Sequence, residues 1–215
     1  RQRLEALLRD AGADPDQVRR RVQVLPAAAR GVPPGVFADV ARAVLDRTRL
    51  RIRYTSRETG QTQDRTVSPQ QLVRWRDNWY LDAWCHSRRA LRTFALDAIA
   101  IAQVLPQPAR KVGARALRAQ FLPGYGIFSG RAPHLAVLVF DATRAQYIAA
   151  ERWHPRQRAR WLPDGRYELS VPYADARELV LDILRYGPEV EVLAPASLRA
   201  EVADRLRRAA GRYGV

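Results

Sequence analysis

Residues 74–85 read Arg-Trp-Arg-Asp-Asn-Trp-Tyr-Leu-Asp-Ala-Trp-Cys. Asp77-Asn78 is a turn pair, so the spacing predicts a strand over Leu72–Trp75, a turn, and a second strand over Trp79–Cys85. Side chains alternate across a strand, so Trp79, Leu81, Ala83 and Cys85 point one way and Tyr80, Asp82 and Trp84 the other. The first set is the more apolar and predicts the core face, leaving Tyr80 and Trp84 on the opposite side. Residues 74–80 also interleave arginines with aromatic rings. Single-strand nucleic-acid binders combine these two side-chain types: cations follow the backbone, and each stacked base adds about 1–3 kcal/mol.

Upstream, Leu50, Ile52 and Tyr54 alternate with Arg49, Arg51 and Arg53, a half-exposed strand with a basic outer face. Further strands are predicted around Arg65–Val67 and Leu91–Leu96, with turns at Thr59-Gly60 and Ser87-Arg88-Arg89. Short strands at this spacing suggest a small barrel. Before them, Leu4, Leu7, Leu8 and Ala11 form one helical stripe, and Asp14-Pro15 starts a second helix. Pro33-Pro34 precedes an amphipathic run of Val36, Phe37, Val40, Ala41, Val44 and Leu45.

The final third alternates differently. A strand at Leu135–Phe140, a helix near Arg144–Glu151, strands at Arg158–Leu162 and Tyr167–Val171, a helix at Ala176–Tyr186 and a strand at Val190–Leu193 follow in order. This βαββαβ order is the ferredoxin-like pattern, closed by one added helix, Ser197–Tyr213. The predicted fold class is therefore α+β. A helical connector occupies 1–45, a small β-barrel 46–108, a linker 109–133 and a ferredoxin-like domain 134–215.

The chain has 215 residues and a net charge of +15, and Lys111 is the sole lysine among 37 basic residues. Arginine grips phosphates in bidentate fashion and stacks on bases, so the excess points to a polyanion. It is unevenly placed: residues 41–133 hold 17 basic and 6 acidic side chains, whereas 134–215 hold 13 and 11. At 47% apolar the chain can build a core, which excludes disorder over most of its length. No run approaches the roughly 20 apolar residues of a membrane helix, and no signal-peptide pattern opens the chain. One cysteine, Cys85, cannot form an internal disulfide and fits a reducing cytoplasm. With no methionine, the sequence reads as a fragment of something longer.

Trp79-Tyr80-Leu81, then Asp82-Ala83-Trp84-Cys85-His86 and Arg92-Thr93-Phe94-Ala95-Leu96-Asp97, resemble the hallmark of the WYL-domain family. Tyr125-Gly126-Ile127-Phe128-Ser129-Gly130, Glu151-Arg152-Trp153-His154-Pro155-Arg156-Gln157 and Val190-Glu191-Val192-Leu193-Ala194-Pro195 resemble the linker and the C-terminal extension, the WCX domain, found with it in bacterial transcription regulators. The resemblance runs from about Leu45 to the C-terminus. It implies an Sm-like, SH3-like barrel that senses a ligand, in some members single-stranded DNA in connection with DNA damage. It also implies a homodimer and an N-terminal winged helix-turn-helix, absent here, that binds duplex promoter DNA. The cell location implied is the bacterial cytoplasm, at the nucleoid. One departure stands out: the family usually has arginine after the Leu-Asp of its last motif, where this sequence has Ala98. The lost cation is either missing or replaced by Arg88, Arg89 or Arg74.

On these grounds the candidate effector-binding residues are Tyr80, Arg92, Arg74, Trp75, Trp84, His86, Arg88, Arg89, Ser68, Gln70, Arg156 and Arg158. Arg92 shares a strand face with Phe94, which makes it either a snorkelling core edge or a stacked phosphate clamp; the resemblance favours the clamp. Ser68 and Gln70 lie where family members line the pocket, though Ser68-Pro69 also fits a plain turn. Arg156 and Arg158, with Arg160, alternate along a strand, giving either a solvated face or a second nucleic-acid contact. The expected function is effector sensing and dimerisation by short single-stranded DNA. Two alternatives stand beside it: a sensor of a nucleotide or other small anion, and a nucleic-acid-binding module without signalling.

Nothing in the sequence points to catalysis. His86, His134 and His154 form no paired metal motif, no phosphate-binding glycine loop occurs, and Cys85 and His86 face opposite sides of a strand. No cofactor, metal or enzymatic activity is expected. Cys85 reads as a small buried hydrophobe, and Asp82 and Asp97 as ion-paired carboxylates.

Overall fold

The computed structural model describes residues 30–121, 124–126 and 132–214. The two helices expected before Arg30 and the Ile127–Gly130 part of the linker motif lie outside the described residues. Among those described, α1 (Pro34–Leu45) opens with Pro34 in its first turn, where a missing N–H costs nothing. It precedes β1 (Thr48–Thr55), β2 (Thr62–Trp75), β3 (Asn78–Cys85), β4 (Ala90–Ala95) and β5 (Ile99–Pro108). These five strands form one antiparallel sheet in the order β4-β3-β2-β1-β5.

Closure into a barrel does not occur: β4 and β5 are edges that do not pair with each other. The sheet is nevertheless curled, because Tyr54 on β1 meets Phe94 on β4 edge to face at 5.1 Å although two strands lie between them. The alternation in β1 holds, with Leu50 and Ile52 fully buried and Arg51 and Arg53 exposed. Leu81, Ala83, Cys85 and Phe94 join them against Val36, Val40 and Ala43 of α1. Cys85 is the small buried hydrophobe expected.

Three local expectations need correction. The strands predicted at Arg65–Val67 and Leu72–Trp75 are one 14-residue strand, and Ser68-Pro69 is not a turn between them. A register shift between Pro69 and Gln71 absorbs the proline, whose missing donor would otherwise break the ladder. β5 has no counterpart among the predicted strands, because its alanines and two prolines weaken the β signal. The linker contains α2 (Ala114–Phe121), built from the strong helix formers Ala, Arg, Leu and Gln.

The C-terminal unit follows the expected element order: β6 (His134–Phe140), α3 (Ala142–Ala149), β7 (Arg158–Trp161), β8 (Tyr167–Tyr173), α4 (Ala176–Leu184), β9 (Val190–Ala194) and α5 (Ala196–Arg212). Its antiparallel sheet runs β7-β8-β6-β9. Asp141 and Asp175 cap α3 and α4, accepting from the backbone N–H of Arg144 and Arg177. A second core forms around Leu138, Phe140, Ile148, Leu169, Leu179 and Ile183. The chain thus carries two antiparallel sheets, each with its own core.

Candidate functional site

A cleft of about 560 Å³ lies where the β1–β2 hairpin and edge strand β4 face the start of α4. Tyr54, Tyr80 and Phe94 contribute aromatic rings to its wall. Arg30, Arg57, Arg65, Arg88, Arg92 and Arg177 contribute cations, against Glu58, Asp175 and Glu178. Several of these arginines are already committed. Arg57 and Arg30 pair with the half-buried Asp97, and Arg177 forks onto Asp175. Arg65, Arg88 and Arg92 form no ion pair with a described carboxylate. Arg65 instead donates to Gln63 and Ser87, which fixes it with its charge intact.

Tyr80 is 5% exposed, and its hydroxyl accepts from Arg30 at 2.5 Å, while Asn78 Oδ1 accepts from the Arg30 backbone N–H and Nε. Arg30, four residues before the first residue of α1, is thereby tied to β3 at the cleft. Asp82, two positions on, is buried and makes no ion pair among the described residues, which corrects the expectation for it. Its oxygens accept from Gln71 at 2.8 Å and Thr93 at 2.6 Å. Burial pushes its pKa above the usual carboxylate range, against the lowering effect of those two bonds. Asp97 is ion-paired as expected.

The predicted site residues fall into four places. Tyr80, Arg88 and Arg92 line the cleft. Ser68, Gln70, Trp84 and His86 gather instead on the outer face of the sheet, around a residue that the sequence reading did not single out, Arg110. The Arg110 guanidinium lies 3.8 Å from the Trp84 ring centroid. Its backbone N–H donates to Ser68 Oγ, and its carbonyl accepts from Gln70 Nε2, both at 2.9 Å. Gln70 Oε1 also accepts from Val112 N–H, and His86 Nε2 lies 2.9 Å from Ser68 Oγ. Ser68 and Gln70 are buried and clamp the start of the linker onto β2.

Trp75 belongs to a third place, the contact between the two units. Its Nε1 donates to Glu178, its ring meets Tyr125 at 6.5 Å, and the neighbouring Arg76 reaches Asp182. Arg74 pairs locally with Asp77, and Arg89 is exposed in the β3–β4 turn. The fourth place is the β7 edge, where Arg158 is exposed and Arg156 lies just before the strand; Arg160 forks onto Glu168. Arg30, Arg57, Arg65 and Arg177 were missed in the cleft, because only tertiary structure brings the β1–β2 hairpin and the start of α4 to β4.

No group of His, Cys, Asp and Glu among the described residues is arranged to hold a metal ion. No helix among them is long and apolar enough to cross a membrane.

A curled basic sheet is followed by an α/β unit, with a cation-lined cleft between them. Comparison makes the class definite: residues 35–104 match the WYL domain and residues 132–210 the WCX domain. The chain belongs to the WYL-domain family and carries the WCX extension. It is 30% identical to Protein PafC of Mycobacterium leprae over 80% of this chain and 51% of that protein. It is also 34% identical to the DNA-binding transcriptional repressor CapW of Stenotrophomonas maltophilia, over 34% of this chain and 24% of CapW. Among solved structures it is similar to proteasome accessory factor B/C (PafBC) of Arthrobacter aurescens, at 28% identity and a TM-score of 0.37, covering 88% of this chain and 29% of that one. The chain thus spans about half the length of the PafC relative it matches.

Proposed function

We propose that this chain is the effector-sensing and dimerising region of a transcription regulator, and that its effector is a short single strand of DNA held in the cleft between the WYL and WCX domains. The observation that carries this reading is the composition of the cleft. Arg65, Arg88 and Arg92 supply cations without carboxylate partners, beside the rings of Tyr54, Tyr80 and Phe94. A single strand needs both: cations for its backbone and rings for its unstacked bases. Mono-anionic metabolites would use only part of this lining.

The cleft also suits a switch. Its walls come from both domains, so a ligand bridging Arg92 on β4 and Arg177 at the start of α4 favours one domain arrangement over others. A ligand shifts an equilibrium only through such differential contacts. The WYL sheet, curled as an Sm-like half-barrel, then acts as reader, and the WCX sheet, ferredoxin-like in strand order, as transmitter and dimerisation unit. The duplex-reading part, proposed to be a winged helix-turn-helix, belongs to the longer protein. The relative named as a DNA-binding transcriptional repressor supports regulation as the setting, and a DNA damage response is proposed as its occasion from the family resemblance alone.

The test is fluorescence anisotropy with labelled oligonucleotides of a few nucleotides across a salt series. The logarithm of the affinity is expected to fall linearly with log salt concentration, and mononucleotides at equal phosphate are expected to compete poorly. Binding that ignores salt, or full competition by mononucleotides, would sink the single-strand reading.

A further inference from the structure

The outer face of the WYL sheet carries a second set of cations that the cleft does not use. Arg49 and Arg51 lie on the same face of β1, about 6.7 Å apart along the strand at the usual rise. Arg49 Nε donates to the Pro108 carbonyl at 3.2 Å, and Arg51 donates to Gln103 Oε1 from Nε at 3.2 Å and from Nη2 at 2.7 Å. Across the same face, Arg110 is fixed three times over: by Ser68, by Gln70 and by the Trp84 ring. Arg49 and Arg51 donate to neutral oxygens, and none of the three arginines forms a salt bridge with a described carboxylate, so their positions are set while their charges stay unpaired. Asp64, the exposed carboxylate on this face, is taken by Arg53. The crowding is felt by His86, whose pKa is lowered by burial and by the nearby charges of Arg49 and Arg110.

We infer that this face binds the phosphate backbone of duplex DNA through Arg49, Arg51 and Arg110. A duplex fits better than a single strand because the face offers no open ring. Trp84 is covered by Arg110, and Tyr80 is buried. Unstacked bases would gain nothing here, whereas a duplex hides its bases and presents only phosphates, which fixed arginines bind without regard to sequence. The site therefore serves to hold promoter DNA against the sensor. It does not depend on what occupies the cleft.

The test uses the whole 215-residue chain and a labelled random-sequence duplex in anisotropy titrations at several salt concentrations. Arg49→Ala/Arg51→Ala is expected to weaken duplex binding at least tenfold and to lower the salt slope by about 2, and Arg110→Ala by about 1. Arg92→Ala, in the cleft, is expected to leave duplex affinity within about twofold. Should either alanine variant melt early, Arg49→Gln/Arg51→Gln keeps the stems and is expected to show the same loss. Three results would overturn the proposal: no duplex binding by the unaltered chain, unchanged affinity in the double variant, or an equal loss in Arg92→Ala. Displacement of the duplex by poly-glutamate at equal charge would overturn it as well, by making the face a surface for acidic protein.

Discussion

Arg76, at the tip of the β2–β3 hairpin, donates to both carboxylate oxygens of Asp182 on α4, at 2.5 Å, and so joins the WYL sheet to the WCX domain. Asp182 is 3% exposed and also accepts from the Tyr125 hydroxyl at 2.8 Å. Burial and the neighbouring Asp182 carboxylate raise the Tyr125 pKa, so the hydroxyl stays a donor. The hairpin loop has two residues, and Arg76 takes φ 53°, a left-handed conformation that usually falls to Gly or Asn. Such a conformation costs about 1–2 kcal/mol, offset here by the ion pair it aims. Four residues before Asp182, Glu178 accepts from Trp75 and lines the cleft, so one helix touches both the cleft and the joint.

Breaking this joint has a defined cost. Arg76→Ala leaves Asp182 buried with Tyr125 and the more distant Arg185, and is expected to destabilise the chain by about 1–3 kcal/mol, discounted because Arg76 is partly exposed. Urea unfolding of Arg76→Ala, Asp182→Asn and the double variant would measure the coupling. A coupling near zero would mean the contact does not hold the domains.

Arg92→Ala separates binding from folding. Arg92 is exposed on an edge strand and pairs with no described carboxylate, so the stability change is expected to stay within about 0.5 kcal/mol. Single-strand affinity is expected to drop about tenfold with a smaller salt slope, while dimerisation, followed by analytical ultracentrifugation, persists. Loss of the dimer would make Arg92 structural.

Gln70→Ala tests the clamp on the linker. It removes the donor to the Arg110 carbonyl and the acceptor for Val112 N–H, with an expected cost of about 1–3 kcal/mol. Amide hydrogen exchange should quicken at Val112 while β3 stays protected. Unchanged exchange at Val112 would show that Gln70 does not hold the linker, leaving Ser68 and Trp84 as the contacts that fix Arg110.

His86 gives the pH dependence a sign. Its folded pKa lies below the unfolded value of about 6.5, so the unfolded chain takes up the proton first as pH falls. The stability tied to neutral His86 is present above about pH 6.5 and is lost as pH drops from there towards the folded value. In His86→Gln that part of the slope is expected to vanish in denaturation curves between about pH 7 and 5. An unchanged slope would assign it to other groups.

Strand alternation and charge placement were legible in the sequence because both are local. The period of two around Leu50–Tyr54 and Trp79–Cys85 identified the core face, and the order of elements after Leu135 followed from spacing alone. The resemblance motifs named the family on the same local grounds. Which face carried which role was not local. Tyr80 and Trp84 share a strand face, yet Tyr80 is buried beside the cleft and Trp84 lies beneath Arg110, because curling of the sheet takes the two ends of β3 to different neighbours. Periodicity sees one strand at a time, so it could not bring Arg65, Arg88, Arg92 and Arg177 to one cleft, nor show the sheet open at β4 and β5. Those were decided by packing between segments as far as 106 residues apart along the chain, as in the meeting of Arg76 with Asp182. There, the free energy comes from burying groups that only the folded chain brings together.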